Sequence, residues 1–132
     1  MVWGMDSREL AINLAKIADD RKAENIRIIE VRDISGITDF FVIVTGTSDP
    51  HVRAIAGELE NRSNKDLGVK PVGKDGRAPT HWYVLDYFDV IVHIMTEDIR
   101  SFYSLESLWK DAPQFSLEDF IAHQHADASV QG

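Results

Sequence analysis

The sequence contains no cysteine. That excludes a disulfide framework, a thiolate zinc site, an iron–sulfur cluster and a cysteine nucleophile. Long apolar runs are also missing. The longest, Phe40 to Val44, has five residues, against the roughly 20 that a membrane-spanning helix needs. Residues 1–8 show no basic stretch followed by an apolar one, so no secretory signal is expected and the expected compartment is the cytoplasm. Basic side chains are scarce in the last third. Residues 86–132 hold two, Arg100 and Lys110, against nine acidic ones, whereas residues 1–85 are nearly balanced at 12 and 13. Almost all of the net charge of −8 therefore sits near the C-terminus. Contact with nucleic-acid phosphate depends on Lys and Arg displacing counterions, so no direct nucleic-acid binding is expected. Such acidity suits a basic protein partner, or simply keeps the surface soluble.

What is present fits one globular domain: 132 residues, 44% apolar and 27% charged. Asp6 with Glu9 three residues on marks a helix start, and Leu10, Leu14, Ile17 and Ala18 give a helical face over about 7–23, ended by Asn25. Residues 26–31 are β-branched and read as a strand. Residues 39–45 are apolar on both faces, as a central strand should be. Ser48 or Asp49 can cap a second helix with Pro50 near its first position, and Gly68 sits where its C-cap belongs. A short strand is expected at 69–72 before a loop at 73–76. Residues 81–87 alternate, with Trp82, Val84 and Asp86 on one side and Tyr83, Leu85 and Tyr87 on the other. Asp89 turns the chain into a buried strand at 90–95, and a helix follows from Glu97 to Trp109. The order α-β-β-α-β-β-β-α predicts a single α/β domain, a mixed central sheet flanked by helices. Pro113 is expected to close this domain (1–113), leaving 114–132 as a C-terminal extension with a mobile end.

Catalytic signatures are weak. The strand–Gly46-Thr47-Ser48–helix junction could receive an anion, but it has no Lys and no G-x-x-x-x-G-K pattern. A tight strand-to-helix turn explains it as well. Asp86 and Asp89 could pair on Mg²⁺, yet a spacing of three does not put both on one face of a strand. H-E-x-x-H and G-x-S-x-G are absent. His93, inside an apolar strand, reads as a hydrogen-bonded core histidine. A metal-dependent nucleotidyl or phosphoryl transferase using Gly46, Ser48 and Asp86 is the enzymatic alternative. Trp82, Tyr83, Tyr87 and Phe88 cluster beside Asp86 and Asp89. They fit two readings, core filling or an aromatic, acid-rimmed docking patch.

Three ordered motifs carry a resemblance. They are Thr38-Asp-Phe-Phe-Val-Ile-Val-Thr-Gly-Thr-Ser48 with His51-Val52, then Trp82-Tyr-Val-Leu-Asp-Tyr-Phe-Asp-Val-Ile-Val-His93 after Asp75-Gly76, then Arg100-x-x-Tyr103-x-Leu-Glu106-x-Leu-Trp109. Over about residues 7–112 the chain resembles the ribosomal silencing factor (RsfS, Iojap) family. The resemblance implies a small α/β protein, often a homodimer, with a sheet similar to that of nucleotidyltransferases and no catalytic role. It implies binding to the large ribosomal subunit through its ribosomal protein uL-fourteen, blocking of the small subunit, and repression of translation when nutrients are scarce. Organelle relatives are linked to large-subunit assembly. No enzyme activity, cofactor or metal is implied. Matching positions place the partner surface on Trp82, Leu85, Asp86 and Tyr87, with His93 and Tyr103 as further members. Asp86 would meet basic side chains, while Trp82 and Tyr87 would be apolar anchors. Asp39 and Glu106 are expected to bridge or cap within the fold. The apolar segment around Phe115–Ile121 could serve a homodimer or fold back on its own domain.

Overall fold

Local side-chain chemistry sets the helix boundaries. The computed structural model describes residues 5–76 and 81–123. Helix α1 (Ser7–Asp20) starts at Asp6, whose carboxylate accepts the Glu9 N–H at 2.8 Å. That satisfies one of the four amides a helix start leaves unpaired. The helix ends at Asp20 rather than near 23, because Lys22 takes φ 67° and turns the chain. Asn25 is therefore not the terminator. It lies inside strand β1 (Glu24–Glu30) at φ 49°, where the pairing register slips, as at a β-bulge. Strand β2 (Phe40–Gly46) leads into helix α2 (Asp49–Leu67). Ser48 accepts the His51 N–H at 3.3 Å, Pro50 sits in the first turn, and Gly68 closes the helix at φ 68°. Glycine adopts that left-handed backbone with no Cβ penalty.

Strands β3 (Gly73–Asp75), β4 (Trp82–Asp86), β5 (Val90–Thr96) and β6 (Gln114–Ser116) complete one six-stranded sheet of order β3-β4-β5-β2-β1-β6. β2 and β5 run parallel, and the other neighbours are antiparallel. The expected mixed sheet with a central β2 is present. Side-chain alternation sorts the strands onto two faces. One face presents Phe40, Val42, Val44, Leu85, Val92 and Ile94 to α1 and α2, and forms the main core. The other carries Ile29, Val31, Ile43, Met95 and Ala112, with Phe41, Trp82, Ile99, Leu105 and Trp109 packed against them.

Three further expectations differ from the structure. The short strand is at 73–75, not 69–72. Its three residues pair with Asp86, Leu85 and Val84 through backbone alone and are all exposed, so no hydrophobic pattern marks them. The helix expected over 97–109 is two pieces, α3 (Glu97–Tyr103) and α4 (Leu105–Leu108), broken where Ser104 takes φ 48°. Pro113 does not close the globular part. β6 pairs with β1 just beyond it, and residues 117–123 are helical. Leu117 and Phe120 are buried in the main core, with the Phe120 ring edge-on to Phe40 at 5.5 Å. The apolar segment around Phe115–Ile121 thus folds back on its own domain. The expected mobile last ten residues fall, apart from His123, outside the described residues.

Candidate docking face on the second sheet surface

The register fixes which candidates meet. Trp82 lies opposite Met95, Val84 opposite His93, and Asp86 opposite Ile91 across β4 and β5. On the other side of β5, Ile43 faces His93 and Phe41 faces Ile91. Trp82, His93 and Phe41 therefore share the sheet face that α1 and α2 do not cover. The Trp82 indole N–H donates to His93 Nδ1 at 3.2 Å. The Phe41 ring stands edge-on to His93 at 5.3 Å, and Trp109 edge-on to Phe41 at 5.4 Å. On the other side Trp82 packs at 4.9 Å on Tyr103, which meets Phe102 edge-on at 4.9 Å. Edge-on and tilted rings at these distances are favourable beyond their buried area. The result is a row of six rings, from the partly buried Trp109, Phe41, His93 and Trp82 to the exposed Tyr103 and Phe102. Its outer end is open: Phe102 is 79% exposed and Tyr103 49%, and Leu108 of α4 is exposed as well. A groove of about 450 Å³ runs beside Trp82, lined by Asp75, Gly76, Val84, Ile99 and Tyr103.

Arg100 holds the outer end in place. Its guanidinium is buried at the foot of α3 and donates to the Asn25 carbonyl at 2.7 Å and to Thr45 Oγ1 at 2.8 Å. Nε and Nη2 both donate to Glu106 Oε2, at 3.2 and 3.0 Å. One side chain thus ties α3 and α4 to β1 and β2. This gives Glu106 the bridging role expected of it. Arg100 is legible only as a motif position; its burial has no sequence signature.

The predicted partner residues separate into two groups. Trp82, His93 and Tyr103 come together in the aromatic row. Leu85 and Tyr87 do not: they point to the helix-covered face, with 1% and 5% exposure. The Tyr87 hydroxyl is engaged by Ser63 Oγ at 3.0 Å and the Leu59 carbonyl at 3.4 Å. Burial pushes its pKa up to about 12, with the Ser63 hydrogen bond opposing. Neither can touch a partner without unfolding. Alternation pairs Leu85 with Tyr87 correctly but does not say which side is the core. Asp86 shares the face of Trp82, four residues farther along β4. Its carboxylate accepts the Phe88 N–H at 2.7 Å and fixes the β4–β5 turn, where Phe88 takes φ 77°. Phe102, Leu108, Phe41 and Trp109 are the members of the face that sequence reasoning did not single out. A larger hollow of about 640 Å³, lined by Met5, Asp39, Tyr87, Phe88 and Asp89 among others, lies toward the other end of the strands.

The enzymatic alternative is not assembled. Gly46 ends β2 opposite Thr96, whereas Asp86 is opposite Ile91. Five residues of strand put roughly 17 Å between the Gly46–Ser48 turn and Asp86. The turn has a packing explanation instead. A Cβ on Gly46 would lie 2.7 Å from Val52 Cγ2 and 3.0 Å from Val52 N. His51 Nδ1 accepts the Thr47 N–H at 2.8 Å, and Nε2 donates to the Arg21 carbonyl at 2.9 Å. That locks the turn to the end of α1.

Comparison with known proteins decides the family. The model of the family described as ribosomal silencing factor during starvation matches residues 4–131. The chain belongs to the ribosomal silencing factor family. The match runs past the 7–112 span of the three motifs, so the family's extent includes β6 and the helix after it. The chain is similar to the ribosomal silencing factor RsfS of Halalkalibacterium halodurans, with 37% identity over 118 residues, 89% of this chain and 100% of that one. It is also similar to the chloroplastic protein Iojap of Arabidopsis thaliana, with 34% identity over 85% of this chain and 46% of that protein. A crystal structure of a protein from Chromobacterium violaceum superposes with a TM-score of 0.76 at 27% identity, covering 80% of this chain and 88% of that one. Among the described residues of this silencing-factor domain, no helix is long and apolar enough to cross a membrane.

Proposed function

We propose that this member of the family binds the large ribosomal subunit in the cytoplasm, through ribosomal protein uL-fourteen, and excludes the small subunit by occupying its landing surface. Translation falls as a consequence, without any bond being made or broken in the partner. The observation that carries this reading is the open end of the aromatic row: Trp82 packed on the half-exposed Tyr103, which meets the exposed Phe102. Exposed aromatics around a groove are the usual anchors of a protein interface. Exposed Glu97 and Asp98 open α3, the helix that carries Phe102 and Tyr103, and give it a charge suited to a basic ribosomal surface. Blocking by volume needs only occupancy. A dissociation constant of ~1 μM, about 8 kcal/mol of binding free energy, is enough at micromolar protein.

The test is co-sedimentation of the purified protein with isolated large subunits, small subunits and intact ribosomes, followed by a subunit-joining titration. Binding to free large subunits alone, with joining inhibited in proportion to occupancy, supports the reading. Binding to intact ribosomes equal to that on free large subunits would contradict it.

A further inference from the structure

The aromatic row contains one partly buried side chain whose polar atom is engaged by the proposed anchor Trp82. The His93 imidazole sits between Phe41, edge-on at 5.3 Å, and Trp82, tilted at 6.0 Å. Its Nδ1 lies 3.2 Å from the Trp82 indole nitrogen. An indole N–H only donates, so Nδ1 must accept and the ring proton must sit on Nε2. A cationic imidazole would aim N–H at N–H. Burial alone lowers the His93 pKa from 6.5 to about 4, which keeps the ring neutral near pH 7. Its cross-strand neighbours are Ile43 and Val84, its ring neighbours are Phe41 and Trp82, and the titratable Tyr103 of α3 stands beyond Trp82.

We infer that His93 is a positioning residue: its neutral Nδ1 holds the Trp82 indole in the orientation that packs on Tyr103 and walls the groove over Val84 and Ile99. This rests on the docking reading above and adds the part of the site that sets its shape. His93 was a candidate contact residue by resemblance. Its Nδ1 is engaged by the Trp82 indole N–H, so its role runs through Trp82.

The experiment compares the wild type with His93→Phe and His93→Asn. Phenylalanine keeps a ring and removes the acceptor. Asparagine loses the ring but offers an amide oxygen near the position of Nδ1. Two readouts are taken, the Trp82 indole N–H resonance (assigned with Trp82→Phe) and affinity for isolated large subunits. His93→Phe should move the indole resonance toward that of a solvent-exposed indole and weaken binding by about tenfold, the worth of one hydrogen bond. His93→Asn should keep the indole shifted and retain most of the binding. A merely structural role predicts the reverse order, since phenylalanine suits an apolar strand better than asparagine. Binding of His93→Phe equal to the wild type, or an unmoved indole resonance, would overturn the inference. If the wild type does not bind large subunits, the docking reading falls and the docking role of His93 with it, while the indole resonance still decides whether His93 holds Trp82.

Discussion

Replacing Arg100 by methionine should destabilise the domain by about 3 kcal/mol, at the low end of the range for removing one partner of a buried ion pair. Methionine keeps the packed stem and removes the guanidinium, which is 4% exposed with its residue. Two buried or partly buried acceptors, Thr45 Oγ1 and the Asn25 carbonyl, lose their donor. A hydrogen bond from a charged donor contributes about 1.5–3 kcal/mol. Glu106 loses both donors too, but its side chain is 29% exposed and recovers part of its hydration. That is why the lower figure applies. Urea unfolding followed by far-UV circular dichroism measures the loss, with an unchanged slope marking a change in stability alone. A fall in melting temperature of roughly 10 °C should accompany it. Glu106→Gln is the internal control. Its amide oxygen still accepts from the guanidinium, so it should lose only about 1 kcal/mol. Phe102 and Tyr103 ride on the helix that Arg100 anchors, so Arg100→Met should also weaken large-subunit binding at temperatures where it remains folded. A loss below about 1 kcal/mol for Arg100→Met, or an equal loss for Glu106→Gln, would refute the clamp.

Three further outcomes follow from the same geometry. Gly46→Ala should cost about 2 kcal/mol by overpacking against the Val52 backbone, measured by urea unfolding, with no gain or loss of nucleotide-induced thermal shift. Tyr87→Phe should cost about 1 kcal/mol while leaving large-subunit affinity unchanged, since the hydroxyl bonds only within the core. Acid should weaken the fold through His93. Its folded pKa lies below the unfolded value, so only the unfolded chain takes up the proton between pH 6.5 and about 4. The stability is complete above pH 6.5 and falls by about 3 kcal/mol on acidification to pH 4. His93→Phe should lose that part of the acid sensitivity in pH-dependent unfolding.

Features encoded by neighbouring residues were legible. Asp6, Ser48, Pro50 and Gly68 act on amides or angles within one turn, so their types announce the helix ends. β2 shows its central place by being apolar on both faces. Features encoded across the fold were not. β3 and β6 are three residues each, and both exist because a distant strand offers them a ladder. Ser104 breaks the helix expected over 97–109 with a left-handed backbone that serine rarely adopts, and Arg100 and Glu106 bridge across that break. The candidate site shows the same division. Alternation grouped Trp82 with Asp86 and Leu85 with Tyr87, but the covered face is determined by α1 and α2. Two of the six expected contact residues, Leu85 and Tyr87, therefore lie on the covered side of the sheet. The exposure of Phe102 and Leu108 follows from the α3–α4 break, which no local pattern signals.

The most direct test of the docking face is the large-subunit affinity of Trp82→Ala, Phe102→Ala and Phe88→Ala, each checked for folding. All three replace an aromatic side chain, and Phe102 and Phe88 are 79% and 71% exposed. Phe88 lies at the other end of the sheet. A loss of tenfold or more for Trp82→Ala and Phe102→Ala, with Phe88→Ala unchanged, is the predicted result, since interface anchors contribute about 1–2 kcal/mol or more each. Equal affinities for all three would contradict it, and a loss confined to Phe88→Ala would move the docking surface to the opposite end of the strands.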